Sequence, residues 1–300
     1  METQQQNNFP KLPFAKSHAF IIGIDKYRDT SISPLKTAVN DAKKIAEVLQ
    51  QEQDFEVYEP LLNATCSEIG KLLEKTLLET VREYDRVFFY YAGHGVAVEG
   101  TDGRPSGYLV PADAEAKNIA KTSVPMSLLY EALNALECKH GLLVLDCCFS
   151  GAFRWSSGYR DLMNFGPETL CQEHFDRFVR EPSWKVITSA AYDQKALDVL
   201  DGQPTGERGV LENGKHSPFA QYLFEGLAGK ADVLEDGQEG DGVITAPELY
   251  EHICKHMVPA SMELGDKQRQ TPDFFPLSDK DRQGQFIFLN RNNRRHLPSI

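Results

Sequence analysis

Two short stretches of this 300-residue chain carry groups suited to nucleophilic chemistry: Gly93-His94-Gly95, and Asp146-Cys147-Cys148 followed by Phe149-Ser150-Gly151. A thiol attacks as its thiolate, and one with an ordinary pKa of about 8.5 is only a few per cent ionised at neutral pH. An imidazole within reach supplies the missing base and can pass the proton on to a leaving group. Each residue also has a plainer explanation. A histidine between glycines is often a turn residue, and neighbouring cysteines often pack as small hydrophobes. What separates the readings is that both stretches stand where a wholly apolar run stops.

Those runs, RVFFYYA at 86–92 and GLLVL at 141–145, have the composition of strands covered on both faces in a parallel sheet. Side chains alternate along an extended segment, so Asp146 and Cys148 fall on one side and Cys147 on the other. Cys148 is therefore the cysteine expected to face a cleft, with Cys147 turned into the core. The order and separation of the two motifs, with His94 lying 54 positions before Cys148, match the offset of roughly 50 seen between a caspase-type histidine and cysteine.

YYAGHG followed by LDCCFSG resembles the histidine and cysteine motifs of the caspase, metacaspase and paracaspase group, the clan CD (family C14) cysteine peptidases. The metacaspase and prokaryotic caspase-homologue pattern, His-Gly after a strand and then Asp-x-Cys-x-Ser-Gly, is met in full. Ala92, Cys147 and Phe149 stand where serine, serine and histidine are common. The resemblance implies a catalytic dyad of His94 and Cys148, with the backbone amides of Gly95 and Cys148 as the oxyanion hole. It also implies a pocket in which Asp41 and Asp146 bind an arginine or lysine before the cut bond. Asp25 and Asp193, acids that follow two other strand ends, are further candidates for the substrate site. No separate carboxylate to orient His94 is evident. A catalytically silent caspase-like scaffold, and a peptidase cleaving after aspartate, are the alternatives.

The elements that must position these groups alternate. Strands are predicted at 18–24, 55–61, 86–92, 141–145, 184–189 and 285–289. Helices are predicted at 35–49, 65–81, 126–136, 218–227 (capped by Ser217, with Pro218 first) and 246–257, and a hairpin after His94. Alternation of this kind makes a doubly wound α/β fold whose ligands lie outside the carboxyl ends of the strands, where His94, Asp146 and Cys148 fall. By resemblance it is a caspase-like three-layer αβα sandwich around a mostly parallel sheet of about six strands. Residues 1–16 read as a flexible leader and 17–290 as the peptidase domain, with a large-subunit-like part to 151 and a small-subunit-like part from 184. An irregular linker at 152–183 contains a short helical stretch at 168–179, and 291–300 form a basic tail. A peptidase selective for basic residues has candidate self-cleavage sites at Arg154, Arg160, Arg177, Arg180 and Arg208.

The chain is 41% hydrophobic and 25% charged with a net charge of -12. That balance is ordinary for a globular protein and argues against a nucleic-acid partner, which needs clustered cations. No apolar run approaches a membrane span and no signal pattern opens the chain, so a cytoplasmic protein is expected; the resemblance implies a protein or peptide substrate with a basic residue before the cut. A regulatory protein partner is compatible with this. The six cysteines show no metal spacing. Catalysis of this kind requires no cofactor. Calcium is the exception weighed: residues 237–248 have an EF-hand register, with Glu239, Asp241 and Glu248 as candidate ligands, but Gly237 replaces the first acid. A turn leading into a helix explains the stretch better. His252 and His256, four apart with Cys254 between, read as an exposed helical face rather than a metal site.

Overall fold

The structure, a computed structural model, describes residues 12–99, 105–148, 153, 172–190, 215–233, 240–262 and 270–293. The chain enters with β1 (Ser17–Gly23), α1 (Ala38–Glu52) and two short strands, β2 (Glu56–Val57) and β3 (Leu61–Leu62). Helix α2 begins at Cys66–Lys71 and runs on through Leu72–Thr76 and Leu77–Thr80. Then come β4 (Arg86–Ala92), a hairpin of β5 (Gly95–Glu99) and β6 (Pro105–Leu109), β7 (Val124–Pro125), α3 (Met126–Asn134) and β8 (His140–Asp146). The second half holds α4 (Gln172–Arg180), β9 (Ser183–Thr188), α5 (Pro218–Glu225), β10 (Val243–Thr245), α6 (Ala246–Met262), β11 (Asp273–Pro276) and β12 (Ile287–Leu289).

A seven-stranded sheet runs in the order β11-β9-β8-β4-β1-β2, with β3 also paired to β1. Every pairing is parallel except that of β11 with β9. The apolar runs are buried on both faces, and the faces alternate residue by residue. Phe89, Tyr91, Leu143, Leu145 and Cys147 join one core under α2 and α3. Phe88, Tyr90, Ala92, Leu142 and Val144 join the other, under α1, α5 and α6. This is the expected αβα sandwich. Local chemistry fixes the covering helices. Thr65 and Glu68 cap α2 reciprocally, and Ser217 accepts from Ala220 N at the start of α5, where Pro218 takes the first helical position. Gly23 lets α1 lie close: a Cβ there would stand 2.6 Å from Ala42 Cβ.

Four strands differ from expectation. The second strand is two short pieces, β2 and β3, with Pro60, which has no N–H to give a ladder, in the gap between them. The terminal strand β12 does not join the main sheet but pairs antiparallel with β10. Neither β10 nor the edge strand β11 shows a recognisable alternation at its length of three or four residues. The short helical stretch expected within the linker is α4, which carries Arg177 and Arg180.

His252 is buried, not on an exposed face; its ring packs 4.7 Å from that of His256. Burial, then the neighbouring His256, pushes its imidazole down to about 4. His140, at the start of β8, is pushed to about 4 by burial and by the Arg86 guanidinium. Both are neutral in the folded chain, whereas an unfolded chain protonates its histidines near 6.5. Above about pH 7 they do not affect stability. As pH falls from about 6.5 to 4 the unfolded state takes up protons that the folded state refuses, and each histidine removes up to about 3 kcal/mol. Thermal melts from pH 7.5 to 4.5 are expected to show a steep loss of Tm that becomes shallower in His140→Asn and His252→Asn. An unchanged slope in both variants would refute the assignment.

Candidate active site

A cleft at the carboxyl edge of the sheet gathers residues from four elements: Thr37, Ala38 and Asp41 at α1, Gly93 and His94 after β4, Asp146 and Cys148 at the end of β8, and Ser217 before α5. About 310 Å³ of space lies among these residues, part of it open to solvent. The β4 and β8 ends are clamped together. Gly93 N donates to Asp146 O at 3.2 Å, and a Cβ on Gly95 would lie 2.3 Å from Cys148 O. Only a glycine lets the histidine turn press against the cysteine turn this closely. Cys148 is half-buried on the cleft side, while Cys147 is buried in the opposite core. Burial first, then the neighbouring Cys148 and Asp146, raises the Cys147 thiol well above its ordinary range, so it stays protonated and inert.

His94 is held on three sides. Its Nε2 lies 2.8 Å from the carbonyl oxygen of Ser33. A carbonyl only accepts, so Nε2 carries the proton and Nδ1 is left as the basic nitrogen. The ring stacks on Tyr27 with centroids 5.0 Å apart, and the Tyr27 hydroxyl accepts from His94 N at 3.0 Å. The Tyr91 hydroxyl donates to His94 O. Val110 N also donates to His94 O at 3.0 Å, which makes the adjoining Gly95–Leu109 pair a non-hydrogen-bonded one. The N–H of Gly95 is thereby turned away from β6.

The two acids meet across Ser217. Its hydroxyl donates to Asp146 Oδ2 at 2.8 Å, and its N–H lies 3.3 and 3.2 Å from the two oxygens of Asp41. Tyr90 adds a long hydroxyl bond of 3.4 Å to Asp146 Oδ2. His216 Nδ1 sits 2.7 Å from Asp41 Oδ1. Burial raises the Asp41 carboxyl above its ordinary value, and the bonds from His216, Thr37 and Ser217 oppose that shift.

Residues 16–279 match the family model for the caspase domain, Peptidase_C14. The chain belongs to the caspase-domain family. Its fold is similar to that of protein GSU0716 from Geobacter sulfurreducens, at 16% identity and a TM-score of 0.53, covering 87% of this chain and 92% of that one. It is likewise similar to Caspase-1 from Spodoptera frugiperda, at 15% identity and a TM-score of 0.52, covering 97% and 96%. A comparison with curated proteins finds no match.

Within this caspase domain the structure brings His94, Cys148, Asp41 and Asp146 to one cleft. It does not bring Asp25, which follows β1 with its N–H bonded to Asn63 Oδ1 and does not line the cleft. Asp193, Glu239, Arg154, Arg160 and Arg208, and the Ser150-Gly151 turn, lie outside the described residues. Asp241 and Glu248 are engaged otherwise than as calcium ligands. Asp241 Oδ1 accepts from Val243 N, and Glu248 accepts from Thr245 N and Oγ1 as a helix cap. Burial raises the Glu248 carboxyl to about 7, which disfavours the anion a hard cation needs. Among the described residues no group of three or more His, Cys, Asp or Glu is arranged to hold a metal ion. No helix among them is long and apolar enough to cross a membrane.

The orienting partner of His94 escaped the sequence because it is a backbone carbonyl, which any residue at position 33 would present. Ser217 was visible as a cap but not as the link between two acids. Tyr27 and His216 lie 67 and 175 positions from their partners, and no local pattern joins them.

Proposed function

We propose that this caspase-domain protein is a cysteine endopeptidase that cuts after arginine or lysine. The observation that carries the reading is the single cleft shared by His94, Cys148, Asp41 and Asp146. Nδ1 of His94, left basic by the Ser33 carbonyl, takes the thiol proton. The Cys148 thiolate adds to the peptide carbonyl, and His94 returns the proton to the departing amine, leaving a thioester. Water, activated by the same imidazole, then hydrolyses the thioester. The N–H of Gly95, directed away from β6, and that of Cys148 are the donors for the oxyanion. Asp41 and Asp146 receive the cationic side chain that precedes the cut bond. Such an enzyme fits a regulated signalling, stress, cell-death or defence pathway.

Self-cleavage belongs to the linkers at Arg154, Arg160 or Arg208. Arg177 and Arg180 stand on α4, and a helix must unwind before an extended-chain protease can use it.

The test is covalent capture. An arginyl acyloxymethyl-ketone peptide is expected to label Cys148 stoichiometrically, and His94→Ala to slow labelling by about 10²–10⁴-fold. Labelling indifferent to His94 would remove the dyad, and no labelling of folded protein would favour a silent scaffold.

A further inference from the structure

His216 takes no part in the chemistry above, yet it makes a close contact with an acid of the cleft, 2.7 Å from Nδ1 to Asp41 Oδ1. It is nearly buried, and its ring meets Phe224 edge-on with centroids 5.1 Å apart. Asp41 lines the cleft and His216 does not. Whatever His216 does to a substrate it therefore does through Asp41. Its neighbour Ser217 ties Asp41 to Asp146, so the pair is coupled to the whole acidic wall.

The geometry points to His216 as a positioning residue that sets the charge of the pocket for a basic side chain. An imidazolium against an ionised Asp41 makes a neutral pair, and the imidazole leaves it with one negative charge. A substrate cation and a proton on His216 then disfavour each other. The inference rests on the reading of this cleft as a site for arginine or lysine. Other groups that face the pair or share its cleft are Tyr90 on β4, His94 after it, Asp146 and Cys148 at the end of β8, and Lys215 just before it in the chain. Imidazoles are the side chains that ordinarily change charge between pH 5 and 8, so His94 is a competitor to exclude, as is Asp41 itself, whose carboxyl burial raises.

The experiment uses the full chain carrying Cys148→Ala and benzamidine as the cationic probe, titrated calorimetrically in buffers of different ionisation enthalpy. Benzamidine Kd is expected to fall by up to about tenfold per pH unit between pH 5.5 and 7.5, with release of up to about one proton on binding. His216→Asn, whose amide can still donate to Asp41, should make Kd flat with pH and abolish proton release. Release unchanged in His216→Asn overturns the assignment, to His94 if His94→Asn abolishes it and to Asp41 if it does not. Failure of benzamidine to bind, in a protein whose intact Cys148 is captured by an uncharged peptidyl ketone, overturns it too while leaving the dyad. Should the asparagine variant not fold, the ring-proton resonance of His216 gives the answer. Benzamidine must move its titration midpoint to lower pH, and an unmoved midpoint refutes the role.

Discussion

Cys148→Ala is expected to abolish peptide hydrolysis, by at least about 10³-fold, while Cys147→Ser leaves turnover within about threefold and lowers stability. The two sulfurs are neighbours in sequence but belong to different compartments. Cys147 is 1% exposed in the core that includes Tyr91, Leu109 and Leu145, and the charge of any thiolate there would be unsolvated. Cys148 faces the cleft with His94. A serine at 147 buries a hydroxyl in that apolar core, at a cost of about 1–3 kcal/mol. Hydrolysis of an arginyl peptide, read beside a thermal melt of each variant, separates the effects. Loss of turnover in a folded Cys147→Ala protein would show that the alternation has been assigned to the wrong face.

What the sequence disclosed follows a physical divide. β1, β4 and β8 were legible because a strand buried on both faces must be apolar throughout, so its ends announce themselves at Asp146 and after Ala92. His94 and Cys148 were legible for the same reason: their motifs begin where burial stops. The pieces that were not legible draw their stability from distant partners. β11 is four residues long and exists as a strand through its ladder with β9. β10 and β12, three residues each, stabilise one another across more than forty positions of chain. The site divides likewise. Side chains with reactive atoms can be found by type, but the Ser33 carbonyl and the Asp41–His216 contact are products of folding.

Two close approaches, each at a glycine, hold the cleft together. Gly95 is required by the closeness of Cys148 O, and Gly23 by the approach of α1. These two contacts fix the distance between the α1 acid and the strand ends regardless of what covers the rest of the sheet.

Asp146→Asn is expected to lower kcat/KM for an arginyl peptide by about 10²–10³-fold without creating cleavage after aspartate, and Asp41→Asn to lower it less. Both acids face the cleft, but they are not equivalent. Asp41 already has His216 and Ser217 N against it, and burial disfavours its charge. Asp146 receives two hydroxyls, Ser217 and Tyr90, which stabilise an anion without neutralising it. The larger share of the attraction for a cation therefore falls to Asp146. Removing one partner of a charge pair sheltered from water costs about 3–5 kcal/mol, and each 1.4 kcal/mol is tenfold. Arginine should be preferred to lysine, because a planar guanidinium can donate to two carboxylates at once where an ammonium concentrates its charge at a point. Asparagine keeps the shape and an acceptor for Ser217, so a loss in this variant reports charge and not collapse of the α5 cap. A peptide library varied at the residue before the cut gives the measurement. Efficient cleavage after aspartate, or indifference to charge at that position in the unmodified enzyme, would remove Asp41 and Asp146 from substrate binding and leave His94 and Cys148 where they are.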